Sequence, residues 1–262
     1  MQYEIRALKL GEVLDQAVKL TQNHFKLLFG IMAIGVVPMT FALGLYQYFL
    51  GFDDPQKFAR PGGVDPTHVL FWVGGMMAIV LFFSLVVMPL ANAALMHALS
   101  ACYLSQPVTV GQSYQVAMGR YWALMGTMLL MMLIIMLGFL LFIVGAFIFA
   151  FWYALWQQVV VIEHRSGMDA LRRSHALMKG NYGALIVLGI VVWIISAMAN
   201  GSAGIIPLLI PKLILQSLVQ AVASVFGTAA GVVFYFSCRC KYENFDLEIL
   251  AQSVEQDIQL EL

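Results

Sequence analysis

Residues 121–162 read "YWALMGTMLLMMLIIMLGFLLFIVGAFIFAFWYALWQQVVVI", 42 positions without an Asp, Glu, Lys or Arg. A helix crosses the hydrocarbon core of a bilayer in roughly 20 apolar residues. The run is therefore long enough for two crossings, with a tight turn near Gly138–Gly145. It is continuously apolar and does not alternate as a barrel strand would. Backbone groups in lipid must be satisfied within the segment, so the crossings are predicted to be helices.

The rest of the chain agrees with this reading. It has 262 residues, 61% hydrophobic and only 11% charged, whereas a soluble domain is about a quarter charged. So few charges cannot clothe a water-facing surface, which makes the class integral membrane. The net charge is zero, and no bulk attraction for nucleic acid is expected. Cys102, Cys238 and Cys240 are odd in number and form no disulfide framework. The opening "MQYEIRALKL" has no apolar signal core or small-residue cleavage site. No cleavable signal is expected, and the first span is expected to direct insertion.

A second uncharged stretch fills 66–119. Six spans are predicted, at about 27–49, 69–95, 121–141, 144–162, 184–203 and 213–237. With both termini inside, the inner segments hold Arg6, Lys9, Lys19, Lys26, Arg120, Arg165, Arg172, Arg173, Lys179, Arg239 and Lys241. The outer loops hold only Lys57, Arg60 and Lys212. That asymmetry predicts cytoplasmic N- and C-termini.

Three inner stretches look alike: 10–28, 110–125 and 166–186. Each begins with a Gly, continues with a small residue on a helical stretch, and ends in an aromatic residue followed by Leu. In the first, Leu10, Val13, Leu14, Ala17 and Val18 share one face, opposite Lys9, Glu12, Gln16, Lys19 and Asn23. The predicted architecture is all-α: six transmembrane helices as three hairpins, each preceded by an amphipathic helix lying in the cytoplasmic interface. Residues 1–241 form the membrane domain. Residues 242–262 form an acidic cytoplasmic tail, helical in period, with Leu247, Leu250, Val254 and Ile258 on one face to contact a partner.

The island 163–180, "EHRSGMDALRRSHALMKG", carries the chemistry that the chain offers. Glu163 beside His164, with His175 nearby, has the residue types of an acid–base pair, but no nucleophile or metal set accompanies it. Asp169 suits the start of a helix and the spacing to Arg172 or Arg173. Arg165, Arg172, Arg173 and Lys179 form a basic cluster of the kind that meets anionic lipid headgroups. A structural ion pair at Glu163 that pins helix to span is the preferred reading.

The span interiors hold no ionisable carboxylate or amine, which disfavours a proton relay. Their polar residues include Asn92, Gln157, Gln158, Asn200, Gln216 and Gln220, and Pro89 is placed to kink span two. Met125, Met128, Met132 and Met136 form a stripe, and Cys238 and Cys240 end span six. These are soft ligand types, but Met is also an ordinary apolar filler. No metal and no cofactor is expected. Ala223, Gly227 and Gly231 make a small-residue seam in span six, for packing inside the bundle or against another subunit.

Some of these residues also form a pattern. Glu163, Gly167, Ala170-Leu171-Arg172-Arg173-Ser174, Leu177 and Gly180-Asn181-Tyr182 form one motif. The closing "FSCRCKYENFDLEILA" at 236–251 and the opening Leu10-Gly11-Glu12-Val13-Leu14-Asp15 with Phe25 form two more. Together they resemble the membrane domain of the glycerophosphoryl diester phosphodiesterase family and related six-span bacterial inner-membrane proteins. The sequence departs from that pattern at Ser237, where Asp is usual, at Cys238 and Cys240, where apolar residues are usual, and at Asn244, where Gly is usual.

In those phosphodiesterases catalysis belongs to a separate barrel domain, for which 262 residues leave no length. The resemblance thus implies a membrane domain of the bacterial inner membrane without an enzyme. The expectation is a non-enzymatic membrane scaffold or accessory subunit of a membrane complex, in contact with lipid. Its partners would be membrane lipids and either a protein or a second copy. The competing class is a transporter or channel component for a lipid or amphiphilic small molecule.

Overall fold

A computed structural model describes residues 3–50, 66–141, 143–202 and 208–248. Among them every regular element is helical. The order is α1 (Leu10–Asn23), α2 (Phe25–Phe49), α3 (Pro66–Phe82), a π-helical turn at Phe83–Val87, and α4 (Met88–Tyr103). Then follow α5 (Val110–Leu141), α6 (Ile143–Trp152), α7 (Trp156–Ile162), α8 (Gly167–Met178), α9 (Tyr182–Ser202) and α10 (Leu209–Glu243). Five helical stretches are long and apolar enough to cross a membrane, and six if α8 and α9, bent by 99°, count as one. Large apolar side chains face outward along them, among them Phe71, Trp122, Trp193 and Met198. That surface suits lipid, not water.

The core lies around α4 and α10. From Ala91 to Tyr103 most of α4 is buried, as expected of a helix packed on all sides. The C-terminal half of α10 is buried from Ala229 through Cys238 at every position but Gly231. α10 packs on α1, α2, α4, α8 and α9, and α4 packs on α2, α5 and α7.

Both short amphipathic helices have their apolar faces on protein. α1 buries Val13, Gln16, Ala17, Leu20 and Thr21 and packs mainly on α10. The chain before α1 is tied to the same place. Leu8 N donates to Ser237 Oγ at 2.9 Å, and Tyr3 stacks on Tyr103, Tyr103 on Phe236 and Phe236 on Phe245. α8 buries Ala170, Leu171, Ser174, Leu177 and Met178 against α5, α7, α6 and α10.

The second of the three similar stretches, 110–125, is not a separate helix. It is the first part of α5, which runs unbroken for 32 residues, about 48 Å at 1.5 Å per residue. No residue there breaks the helix. By contrast, Gly180 takes φ +79° between α8 and α9, a conformation that glycine adopts without penalty, and His24 breaks the run between α1 and α2 with φ −116°.

Span four carries a correction of another kind. It is interrupted at Tyr153–Leu155, between α6 and α7. Ser174, fully buried, reaches into that break from α8. Its Oγ accepts from Leu155 N at 3.1 Å and donates to Trp152 O at 3.3 Å. A side chain thereby satisfies backbone groups that the helix leaves open.

Pro89 offers no amide to Leu85, four residues back. The π-helical turn at Phe83–Val87 precedes it, and the Tyr121 hydroxyl donates to the Leu85 carbonyl at 3.2 Å. The turn between α5 and α6 depends on close approach, since a Cβ on Gly138 would lie 2.9 Å from Ala146 N.

Helix α10 continues to Glu243, six residues beyond the predicted end of span six, and takes in the first two residues assigned to the tail. Asn244 closes it in the left-handed conformation, φ 55°, which Asn tolerates better than other side chains.

Candidate functional site

The charged island of 163–180 meets the end of α10. Glu163 caps the C-terminus of α7. Its Oε2 lies 2.8 Å from Arg173 Nε and 3.3 Å from Arg165 Nε, and its Oε1 accepts from the Tyr235 hydroxyl at 2.7 Å. Arg173 then turns its far edge to Glu243. Nη2 donates to Glu243 Oε2 at 2.7 Å, and Nη1 pairs with the other oxygen. The guanidinium thus bridges two carboxylates through several of its five donors, a geometry that Lys could not supply. Arg239, one turn before Glu243, adds a 3.3 Å contact to Oε2 and lies 3.8 Å over the Phe245 ring.

The side chains of Glu163 and Arg173 are only 9% and 10% exposed. A pair so buried is held by geometry, because desolvation offsets most of its Coulomb attraction. Its structural result is definite: α7, α8 and α10 are joined at one point. Nearby, Lys241 Nζ donates to Asn181 Oδ1 at 2.9 Å and ties α10 to the bend before α9.

The other named residues are placed differently. Asp169, Arg172 and Lys179 are exposed and have no ion-pair partner among the described residues. Arg173 pairs with Glu163 and Glu243 instead of Asp169. His175 lies against Trp152, ring centroids 4.6 Å apart. His164, at φ 60°, turns toward α5, where its carbonyl accepts from Arg120 Nη1 at 3.4 Å. Burial, then the positive charge of Arg120, holds the His164 imidazole below its ordinary pKa. No hydrogen bond joins Glu163 to either histidine among the described residues, and the Ser174 hydroxyl is engaged at the α6–α7 break.

The seam of span six faces its own chain. A Cβ on Gly227 would lie 3.0 Å from Val192 Cγ1 of α9, and one on Gly231 would lie 3.1 Å from Gln158 Nε2 of α7. Ala223 is 5% exposed. Met132 and Met136 point outward, and all three cysteines are free and buried. No group of three or more metal-ligating side chains occurs among the described residues. In the tail, Leu247 is 60% exposed. Leu250, Val254 and Ile258 lie outside the described residues, as do Lys57 and Arg60.

Sequence reasoning missed Glu243, Arg239 and Tyr235 as parts of the network. The signal was present in the i,i+4 spacing of Arg239 and Glu243, but it was divided between a predicted span end and a predicted tail.

Residues 98–244 match the family model described as Domain of unknown function (DUF7847). That is more than half of the chain. The chain belongs to the DUF7847 family. No curated protein and no solved structure matches it. Every member of the ion network lies within the DUF7847 match, whereas α1 and α2 precede it.

Proposed function

We propose that this DUF7847 protein is a non-enzymatic scaffold or accessory subunit of the bacterial inner membrane. In this reading six spans form three hairpins, both termini are cytoplasmic, and α1, α8 and the tail present a cytoplasmic contact layer in touch with lipid. The observation that carries it is the closed ion network. Glu163, Arg173, Arg239 and Glu243 satisfy one another, so the group that most resembles a catalytic centre holds helices together. The resemblance to the phosphodiesterase membrane domain supports the same role.

Native mass spectrometry from mild detergent, with lipids retained, tests the reading. A partner chain or second copy is expected, and a subunit that always flies alone overturns it. Cysteine labelling tests the topology: Lys212→Cys should react only from outside and Arg6→Cys only from inside.

One observation favours transport instead. A cavity of about 410 Å³ between α2, α4 and α10 is lined by Thr40, Gln47, Lys212, Gln216 and Gln220, and Gln220 Oε1 is buried without a partner. Gln157 instead lines a separate void of about 10 Å³, and the side chain of Asn200 lies outside the described ones. Uptake of a small amphiphile into vesicles holding only this protein, abolished by Gln216→Leu, would decide for transport.

A further inference from the structure

Arg120 is the one charged residue between 66 and 162. It is partly buried, and among the described residues no carboxylate lies within ion-pair distance. Its guanidinium makes a 3.4 Å bond to the His164 carbonyl, which leaves most of its five donors free. A cation partly removed from water and given no counter-ion is costly. The acid nearest in sequence to its neighbour His164 does not relieve it, because the Glu163 carboxylate is taken by Arg173, Arg165 and Tyr235.

Arg120 lines a cavity of about 540 Å³ among the last turns of α4, the first turns of α5 and the end of α7. His97, Ser100 and His164 line it too, while Leu104, Val116, Val161 and Ile162 complete its wall. No carboxylate is among these residues. His97 Nδ1 is buried without a hydrogen-bond partner, a rare condition that asks for an explanation. The Ser100 hydroxyl donates to the His97 carbonyl at 2.9 Å, so its oxygen can accept but its proton is taken. The polar lining therefore offers a guanidinium and two imidazoles, and no negative charge.

We propose that this cavity is a binding site for a phosphate group, with Arg120 as its charge partner and His97 and His164 as its hydrogen-bond donors. A phosphate supplies the missing counter-ion and several acceptor oxygens in the geometry that guanidinium prefers. The volume exceeds what the phosphate alone needs and leaves room for the group that carries it. Leu104, Val116, Val161 and Ile162 give the same cavity an apolar wall beside these polar groups, which suits the carrier group of a phospholipid headgroup. The site does not depend on the scaffold reading.

The full chain in a neutral detergent tests this with two probes. Phosphatidylglycerol is titrated in native mass spectrometry against a glucosyl diacylglycerol, which has no phosphate. Inorganic phosphate is titrated in a thermal-unfolding assay. The wild type should retain phosphatidylglycerol over the glucosyl lipid or be stabilised by inorganic phosphate; the first result assigns the source to lipid and the second to free phosphate. Arg120→Gln should weaken the bound form by about tenfold or more, and Arg6→Gln, on an arginine already paired with Glu4 and Glu12, should not. Should Arg120→Gln fail to fold, His164→Asn, which tolerates the same backbone conformation, should still weaken binding. Equal retention of both lipids with no effect of phosphate overturns the proposal, as does undiminished binding by the variants.

Discussion

Truncation of Glu163 gives the sharpest test of the clamp among α7, α8 and α10. Glu163→Ala removes the 2.8 Å contact to Arg173, the 3.3 Å contact to Arg165 and the acceptor of Tyr235. Loss of one partner from a buried pair costs about 3–5 kcal/mol. Arg173 keeps Glu243, which places the expected cost at the low end, about 3 kcal/mol. Arg173→Ala should cost more, about 4 kcal/mol or above. It leaves a carboxylate 9% exposed with the Tyr235 hydroxyl and Arg165, whose own side chain is 54% exposed, and exposed partners contribute little. The double variant should fall short of the sum by about 0.5–3 kcal/mol, since the two side chains touch. Unfolding in detergent can be followed through Cys102, Cys238 and Cys240, all buried and free, with a thiol-reactive dye. For a chain of this size each kcal/mol moves the midpoint by roughly 2–4 °C, so Glu163→Ala should lose about 6–12 °C. A loss under about 3 °C, or strict additivity in the double variant, would refute the clamp.

Three further outcomes follow from local geometry. Tyr121→Phe removes the donor to the Leu85 carbonyl and should cost about 1–3 kcal/mol; Pro89→Ala in that background returns an amide and should recover part of the loss in the same assay. Gly138→Ala places a methyl against the Ala146 backbone and should destabilise by about 1–3 kcal/mol, whereas Gly189→Ala meets nothing within 4 Å and should be neutral or stabilising by up to about 1 kcal/mol. Glu12 is held below its ordinary 4.5 by the Lys9 amide and then by Arg6. A depressed carboxylate stabilises above its unfolded pKa and ceases to as pH falls through its folded pKa, so hydrogen exchange in α1 should accelerate below pH 4.5 in the wild type and lose that step in Glu12→Gln.

Membrane character was legible because it rests on composition and run length, which need no partner. The uncharged runs at 66–119 and 121–162 hold α3 to α7, and Gly138 and Gly145 mark the α5–α6 turn. What escaped depends on side chains from elsewhere in the chain. Nothing in "FWYALWQQ" announces a break at Tyr153–Leu155; Ser174, 19 residues from Leu155, makes that break tolerable. The opposite holds at 110–125, where an aromatic residue before an apolar run suggests a helix boundary that the fold does not have. Gly119 and Arg120 are compatible with helix, and α5 passes through them.

The charges show why burial sorted α1 and α8 against protein and not against lipid. An amphipathic face alone is satisfied equally by acyl chains and by a neighbouring helix. Specific polar contacts decide between them. Glu163, Glu243, Ser237 and Gln16 each bond across elements, and such bonds form only if α1 and α8 dock on the bundle. Arg120 has no carboxylate partner among the described residues, and its two imidazole neighbours come from α4 and from the loop after α7. The charges of the α7–α8–α10 clamp are matched from within, whereas Arg120, partly buried and without a carboxylate partner among the described residues, lines a cavity of about 540 Å³.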